Sequence, residues 1–187
     1  MMKNALKSIA VLMSLTASAQ AGPDVTKIGT PTYAGTGCKA GTGKATLDGG
    51  TLRLSVTPFV VQPKSGALAR GSCNVSVPVH IDAGHQIALR ALTLTGHTQL
   101  STDAKARVST ELFFAGSRGK LTTEDLPPKN SALQVSYRPA DSDLEWSACG
   151  AQPIARVNSS FTLQSNTPTD SIRVDMLTLE MISRKCP

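Results

Sequence analysis

Asn74-Val75-Ser76-Val77-Pro78-Val79-His80-Ile81 is the stretch that decides the fold class, because every second residue in it is Val or Ile. Such period-two alternation is typical of a β-strand that buries one face and exposes the other. Pro78 has no backbone N–H to donate to a neighbouring strand, so the stretch also predicts an edge strand or a β-bulge at this residue.

The same pattern recurs on both sides of this strand. It covers residues 51–57, 108–114, 133–137, 157–163 and 172–182, and turn sequences such as Asp48-Gly49-Gly50 and Asp82-Ala83-Gly84 separate the runs. In residues 172–182 the apolar positions change phase by one residue after Met176, which predicts a β-bulge. The best helical candidate, residues 101–107, is short. Together these runs predict an all-β chain, a single antiparallel β-sandwich of about eight or nine strands, jelly-roll or immunoglobulin-like.

The N-terminus has the three parts of a secretory signal peptide. Lys3 and Lys7 supply positive charge, residues 9–15 are apolar, and Ala19-Gln20-Ala21 is a small-x-small cleavage site. The apolar part is much shorter than the roughly 20 residues of a membrane span, so a membrane anchor is disfavoured. We therefore expect a signal peptide at residues 1–21, one disulfide-stabilised domain at residues 22–187, and no transmembrane segment. The mature protein is expected to be secreted or periplasmic.

Four cysteines follow the signal, namely Cys38, Cys73, Cys149 and Cys186. An even number in an exported chain predicts two disulfides. Three pairings are open, and we favour Cys38–Cys73 with Cys149–Cys186, which places one bridge in each half. A zinc site or a redox dithiol would need a close Cys-x-x-Cys pair, which the sequence lacks.

The charge balance is moderately basic. The formal net charge is +6 and falls to +4 when Lys3 and Lys7 leave with the signal peptide. The basic residues are scattered, and the chain has only four Phe, two Tyr and one Trp. A surface that stacks single-stranded nucleic acid needs more aromatic rings, so no nucleic-acid partner is expected.

No catalytic constellation stands out. The chain lacks the Gly-x-Ser-x-Gly and His-Glu-x-x-His motifs, and we predict neither a catalytic residue nor a cofactor. The Gly-rich loop at residues 35–44 departs from the phosphate-binding pattern at Cys38 and Ala45. Asp141, Asp143 and Glu145 alternate and are candidate calcium ligands, but the EF-hand pattern fails. A solvated acidic loop without metal is therefore favoured.

Three residues are candidate ligand contacts. Trp146, the only tryptophan, precedes Cys149 by three residues, and a tryptophan beside a disulfide usually packs on it in the core. The alternative is an exposed ring that contacts a ligand such as a sugar. Lys39 and Lys44 lie in the loop that follows Cys38 and are the other two candidates.

Four motifs carry a family resemblance. Gly35-Thr-Gly-Cys38, Ser55-Val-Thr-Pro-Phe-Val-Val-Gln62, Arg70-Gly-Ser-Cys73 and Trp146-Ser-Ala-Cys-Gly150 resemble a family of small secreted bacterial and fungal proteins, domain of unknown function 4360. The resemblance extends from about Thr32 to Cys186, with Lys39 in place of a frequent proline. It implies a secreted, disulfide-containing β domain, and it implies no activity, ligand or catalytic residue.

We therefore expect an exported, non-catalytic β-sandwich that acts as a binding or structural module of the cell envelope or extracellular space. Its partner is unknown, with an envelope polymer or a secreted protein as candidates. Two alternatives stay open: a secreted hydrolase with an unrecognised site, and a secreted inhibitor-like protein that binds another protein.

Overall fold

The computed structural model describes residues 25–64 and 68–187, so the signal peptide predicted at residues 1–21 lies outside the described residues. These two segments form eleven β-strands: β1 Val25–Ile28, β2 Thr32–Ala34, β3 Lys44–Asp48, β4 Thr51–Val61, β5 Leu68–Ile81, β6 His85–Gln99, β7 Lys105–Phe114, β8 Thr122–Leu126, β9 Ser131–Tyr137, β10 Ile154–Gln164 and β11 Ser171–Lys185. A single 3-10 turn, Asp141–Asp143, lies between β9 and β10. The count exceeds the predicted eight or nine because β1 and β2, with four and three residues, are too short to show alternation.

The strands form two antiparallel sheets that pack as a sandwich, as predicted. The first sheet has the order β1-β5-β10-β7-β8 with β2 also paired to β5, and the second sheet has the order β3-β4-β11-β6-β9. From β4 to β11, each strand is followed by one in the other sheet, except in the β7–β8 hairpin. The order β4-β11-β6-β9 over β5-β10-β7-β8 is that of a jelly roll, one of the two predicted sandwich types.

Alternating side chains of both sheets fill the space between them. Phe59 on β4 and Phe161 on β10 are fully buried and meet edge to edge, with ring centroids 5.4 Å apart and an interplanar angle of 87°. Because the two rings come from different sheets, their contact ties the sheets together. Such a pair adds about 0.5–1.5 kcal/mol beyond the burial of its surface.

Both predicted disulfides are present. Cys38 bonds Cys73 with an S–S distance of 2.03 Å, and Cys149 bonds Cys186 at 2.05 Å. The first is buried and joins the loop after β2 to β5, whereas the second joins the loop before β10 to the end of β11. Cross-links that close loops of this length each stabilise a fold by roughly 3–4 kcal/mol.

The predicted phase change in β11 is confirmed. Ile172 and Val174 are buried in its first half, whereas Leu177, Leu179 and Met181 are buried in its second half. The register shifts between Val174 and Met176 against both neighbouring strands, β4 and β6. Asp175 is the one extra residue opposite β6, whereas residues 56–58 of β4 lie opposite it on the other side. The bulge thereby keeps both halves of β11 in contact with the core.

The best helical candidate of the sequence, residues 101–107, does not form a helix. Ala104 N donates to Ser101 O in a turn, and β7 begins at Lys105. The buried carboxylate of Asp170 holds this turn, because it accepts hydrogen bonds from the backbone N–H and hydroxyl of Ser101 and from the Ser165 hydroxyl. Burial raises the pKa of Asp170, but the three hydrogen bonds together lower it by more. Its pKa therefore lies below the ordinary value of an aspartate.

Pro78 does not lie on an edge strand, since β5 has neighbours on both sides. On one side, β1 pairs with β5 as far as Val79 and β2 pairs with it from Ser76. Pro78 lies between these two pairings and accepts a hydrogen bond from Gly29 N through its carbonyl. The missing proline N–H therefore falls where the ladder is interrupted.

The bulge in β11 depends on a glycine in the adjacent strand. A Cβ atom on Gly96 would lie 1.9 Å from the carbonyl oxygen of Arg173, which is far inside contact distance. We predict that Gly96→Ala lowers the free energy of unfolding by about 3 kcal/mol, the upper range for overpacking. The neighbouring Thr95→Ala, on the exposed side of β6, should change it by less than about 0.5 kcal/mol. Urea unfolding measures both, and equal effects would contradict the role of Gly96.

Candidate functional site

The surface of the second sheet that faces away from the core carries mainly polar side chains, and we call it the outer face. Its apolar members are Val60, Ala88, Ala91, Ala132 and Ile182, beside Met176. It carries Lys44, Thr46 and Asp48 of β3, Thr51, Arg53 and Ser55 of β4, Arg173, Asp175, Met176, Thr178 and Glu180 of β11, Thr93, Thr95 and His97 of β6, and Gln134 and Ser136 of β9. One continuous cross-strand row reads Thr46, Arg53, Thr178, Thr93, Ser136. With strands about 4.8 Å apart, five strands span about 19 Å.

A shallow groove of about 230 Å³ lies in the middle of the outer face. Ala91 is 8% exposed, and its small side chain leaves room between the neighbouring side chains. The hydroxyls of Thr93, Ser136 and Thr178 line the groove, together with Arg138, which forms an ion pair with Glu180. The groove therefore offers hydroxyls and one ion pair beside the apolar surface of Ala91 and the Tyr137 ring.

Trp146, Arg184 and Gln86 form a second feature of the outer face, which we call the Trp146 cluster. The segment that contains Trp146 runs beside β6, since Trp146 bridges Ala88 and Ser147 N donates to Ile87 O. The Cζ atom of Arg184 lies 3.9 Å from the centroid of the Trp146 ring. Arg184 Nε donates to Gln86 Oε1 at 3.1 Å, and Gln86 Nε2 donates to Ser147 O at 2.8 Å. The guanidinium of Arg184 is therefore fixed by a ring and by an oriented amide.

Trp146 is half-buried and does not belong to the buried core, contrary to the favoured expectation that it packs there. Its ring instead supports the Arg184 cation. A cation over an indole face is attracted by about 0.5–1 kcal/mol at an exposed site. The sequence-based alternative, a ring that itself stacks on a ligand, is weakened because Arg184 covers one face.

The third feature of the outer face is the group His97, Asp175 and Arg173. Arg173 Nε donates to Asp175 Oδ1 at 2.6 Å, and His97 Nδ1 lies 3.4 Å from Asp175 Oδ2. The β11 bulge places Asp175 on this side of the sheet. The side chain of His97 is 72% exposed, and exposed ion pairs contribute little to stability.

The acidic candidates lie at a different place, a cleft of about 170 Å³ that Asp143 and Glu145 line with Tyr137 and Phe113. Glu145 accepts a hydrogen bond of 2.6 Å from the Ser117 hydroxyl. Burial raises the pKa of Tyr137, and the charge of Asp143 raises it further. Asp141 does not line this cleft, and residues 25–64 and 68–187 contain no group of three His, Cys, Asp or Glu residues suited to a metal ion.

The two lysine candidates are separated from the Trp146 cluster. Lys39 is exposed in the loop between β2 and β3, where its carbonyl accepts hydrogen bonds from Thr42. Lys44 begins β3 and does lie on the outer face. Four strand spacings, about 19 Å, separate its strand from the segment of Trp146. Only an extended ligand could contact both.

Sequence reasoning missed Arg184 and Gln86. The signal for Arg184 was available, because a Cys149–Cys186 bridge brings the residues before each cysteine together. Trp146 and Arg184 precede these cysteines by three and two residues. No local pattern marked Gln86, whose place opposite Arg184 follows from the strand register.

These features define a disulfide-braced jelly-roll domain with a polar sheet face. The family model described as "Domain of unknown function (DUF4360)" matches residues 24–184, and the chain belongs to this family. The resemblance noted in the sequence is thus confirmed. No curated protein matches the chain. No helix in the two described segments is long and apolar enough to cross a membrane.

Solved structures give distant likenesses. A structure of TmCBM61 in complex with β-1,4-galactotriose is 8% identical, with 88% of this chain and 92% of that chain covered and a TM-score of 0.32. Tobacco necrosis virus is 12% identical, with 82% and 90% covered and a TM-score of 0.28. A structure described as "CBM4 structure and function" is 6% identical, with 77% and 78% covered and a TM-score of 0.22. At such TM-scores these likenesses carry no argument about function.

The single tryptophan makes the Trp146 cluster measurable by fluorescence. We predict that Arg184→Ala shifts the Trp146 emission to longer wavelength, because water replaces the guanidinium on the ring. The free energy of unfolding should fall by no more than about 1 kcal/mol. Lys185→Ala, which removes the adjacent charge, should leave the emission unchanged. An unshifted spectrum for Arg184→Ala would show that Arg184 does not cover the ring.

Proposed function

We propose that this protein is an exported, non-catalytic binding module that holds an extended polymer of the cell envelope or extracellular space on its outer face. One observation carries the proposal: a polar face five strands wide that ends at a cation fixed on Trp146. In this proposal Arg184 contacts the ligand, and the Trp146 ring, which the sequence suggested as the contact, holds Arg184 in place.

The length of the outer face favours an extended ligand. Along β6 it reaches from Gln86 in the Trp146 cluster to His97, eleven residues further on. At about 3.4 Å per residue in an antiparallel strand, this distance is roughly 37 Å. A small molecule would occupy only a fraction of this length, whereas several units of a polymer would cover it.

The charges of the outer face favour recognition over catalysis. The carboxylates of Asp48, Asp175 and Glu180 are each paired with an arginine. In each pair a guanidinium already occupies a carboxylate oxygen that a catalytic acid or base would need to present to its substrate. Because the side chains project from paired strands, they are held in place before a ligand arrives, which lowers the entropic cost of binding.

Export is supported by the cysteines and by the N-terminal sequence. Two disulfides are typical of proteins in oxidising compartments, and residues 1–21 have the pattern of a signal peptide. A ligand on the outside of the cell or in its envelope fits that compartment.

Co-sedimentation tests the proposal. The oxidised protein, residues 22–187, is mixed with insoluble envelope material at low and high salt, beside two matched variants. Thr178→Tyr fills the groove on the central strand of the second sheet, and Thr162→Tyr adds the same ring to the outward side of β10 in the first sheet. We predict that the first variant binds about tenfold more weakly, as expected when a contact of about 1.4 kcal/mol is lost, and that the second binds normally.

Two results would contradict the proposal. One is the absence of binding at both salt concentrations. The other is an equal loss in the two variants, which would mean that the outer face has no special part. Capture of a soluble secreted protein in place of the insoluble material would favour the inhibitor-like alternative.

A further inference from the structure

We infer that the polymer is an acidic polysaccharide and that Arg184 binds its carboxylate groups. This inference rests on the proposed function and names the ligand class of the same surface. Its physical basis is a guanidinium that is held in one orientation and that no carboxylate of the described residues neutralises.

Arg184 has unused hydrogen-bonding capacity in a fixed direction. Its Nε donates to Gln86, and its Cζ atom lies over the Trp146 ring. Within residues 25–64 and 68–187, its two terminal nitrogens have no hydrogen-bond partner. A guanidinium offers a planar fork of N–H groups that matches the two oxygens of a carboxylate. Because the ring and the amide already restrict the side chain, less rotamer freedom is lost when the anion binds.

The remaining charges of the outer face complement a polyanion. Asp48 pairs with Arg53 at 3.6 Å, Asp175 with Arg173 at 2.6 Å, and Glu180 with Arg138. Among the described residues, Arg184 and Lys44 have no carboxylate partner, so the unbalanced charge of this face is positive at both ends. An acidic polymer laid across the face would meet cations at its margins and paired, locally neutral charges between them.

Hydroxyl groups distinguish a sugar polymer from a lipid surface. The groove beside Arg138 is lined by Thr51, Thr93, Ser136 and Thr178, whose hydroxyls can both donate to and accept from sugar hydroxyls.

A membrane surface would instead require exposed apolar side chains that enter the lipid. Of the four exposed large hydrophobic residues in the described segments, Leu68, Leu121 and Ile154 belong to the first sheet or to the β7–β8 connection. The fourth, Val60, pairs with Arg173 at the end opposite Arg184. None of these four exposed side chains therefore lies beside the fixed cation.

The test compares one polymer in two charge states. Sodium polygalacturonate carries a carboxylate on each sugar, and its methyl ester keeps the same backbone without the charge. We expect the oxidised protein to bind the ester about tenfold more weakly, as the loss of charge-assisted hydrogen bonds implies. Isothermal titration measures the affinities, and the fluorescence of the single Trp146 reports whether the ligand reaches the cluster.

Matched variants separate a specific contact from general attraction. Arg184→Gln and Lys185→Gln remove the same charge at adjacent positions, but only the first removes the fixed guanidinium. We expect Arg184→Gln to weaken polygalacturonate binding about tenfold and Lys185→Gln to weaken it by less than about twofold. Gln86→Glu places an internal carboxylate beside Arg184 and should also weaken binding, while unfolding experiments confirm that the variant is folded.

Three results would overturn the inference. They are equal losses in Arg184→Gln and Lys185→Gln, equal affinities for the acid and its ester, and binding to vesicles of anionic lipid that depends on Arg184 when polygalacturonate does not bind. If polygalacturonate fails while co-sedimentation with envelope material still depends on Thr178, the proposed function stands and only the ligand class is wrong.

Discussion

The one-residue phase change at Asp175 in β11 is the constraint on which the rest of the second sheet depends. β11 is the central strand of this sheet and pairs with β4 and β6. Ile172 and Val174 are buried in the first half of β11. If strict alternation continued from them without the extra residue, Leu177 and Leu179 would face solvent and Thr178 would face the core. The bulge therefore fixes the core and the composition of the outer face together.

Local patterns predict those parts of the fold that a single strand encodes. The alternation in residues 74–81, the phase change after Met176 and the turns at Gly49 and Gly84 are all visible within a few residues. The even number of cysteines predicts two disulfides, and the structure has the pairing that was favoured among the three possible ones. By contrast, residues 101–107, the best helical candidate, form no helix because the buried carboxylate of Asp170, 69 residues away from Ser101, holds a turn there.

The candidate site illustrates the same limit. Trp146 was recognisable as unusual, but its role depends on Arg184 and Gln86, which reach it only through the Cys149–Cys186 bridge and the register of β6 with β11. Side-chain alternation identifies a single strand, but it does not show which other strands pair with it. Asp141, Asp143 and Glu145 show the converse case, since a regular spacing in sequence brings only two of them to the same cleft.

The central claim is that ligand binding takes place on the outer face of the second sheet around Arg184. Amide and indole chemical-shift mapping of the oxidised protein, titrated with oligogalacturonate, tests it most directly. The account predicts that the largest changes fall on Gln86, Trp146, Thr178 and Arg184. Changes concentrated around Phe113, Asp143 and Glu145, or on the exposed side of the first sheet, would contradict it.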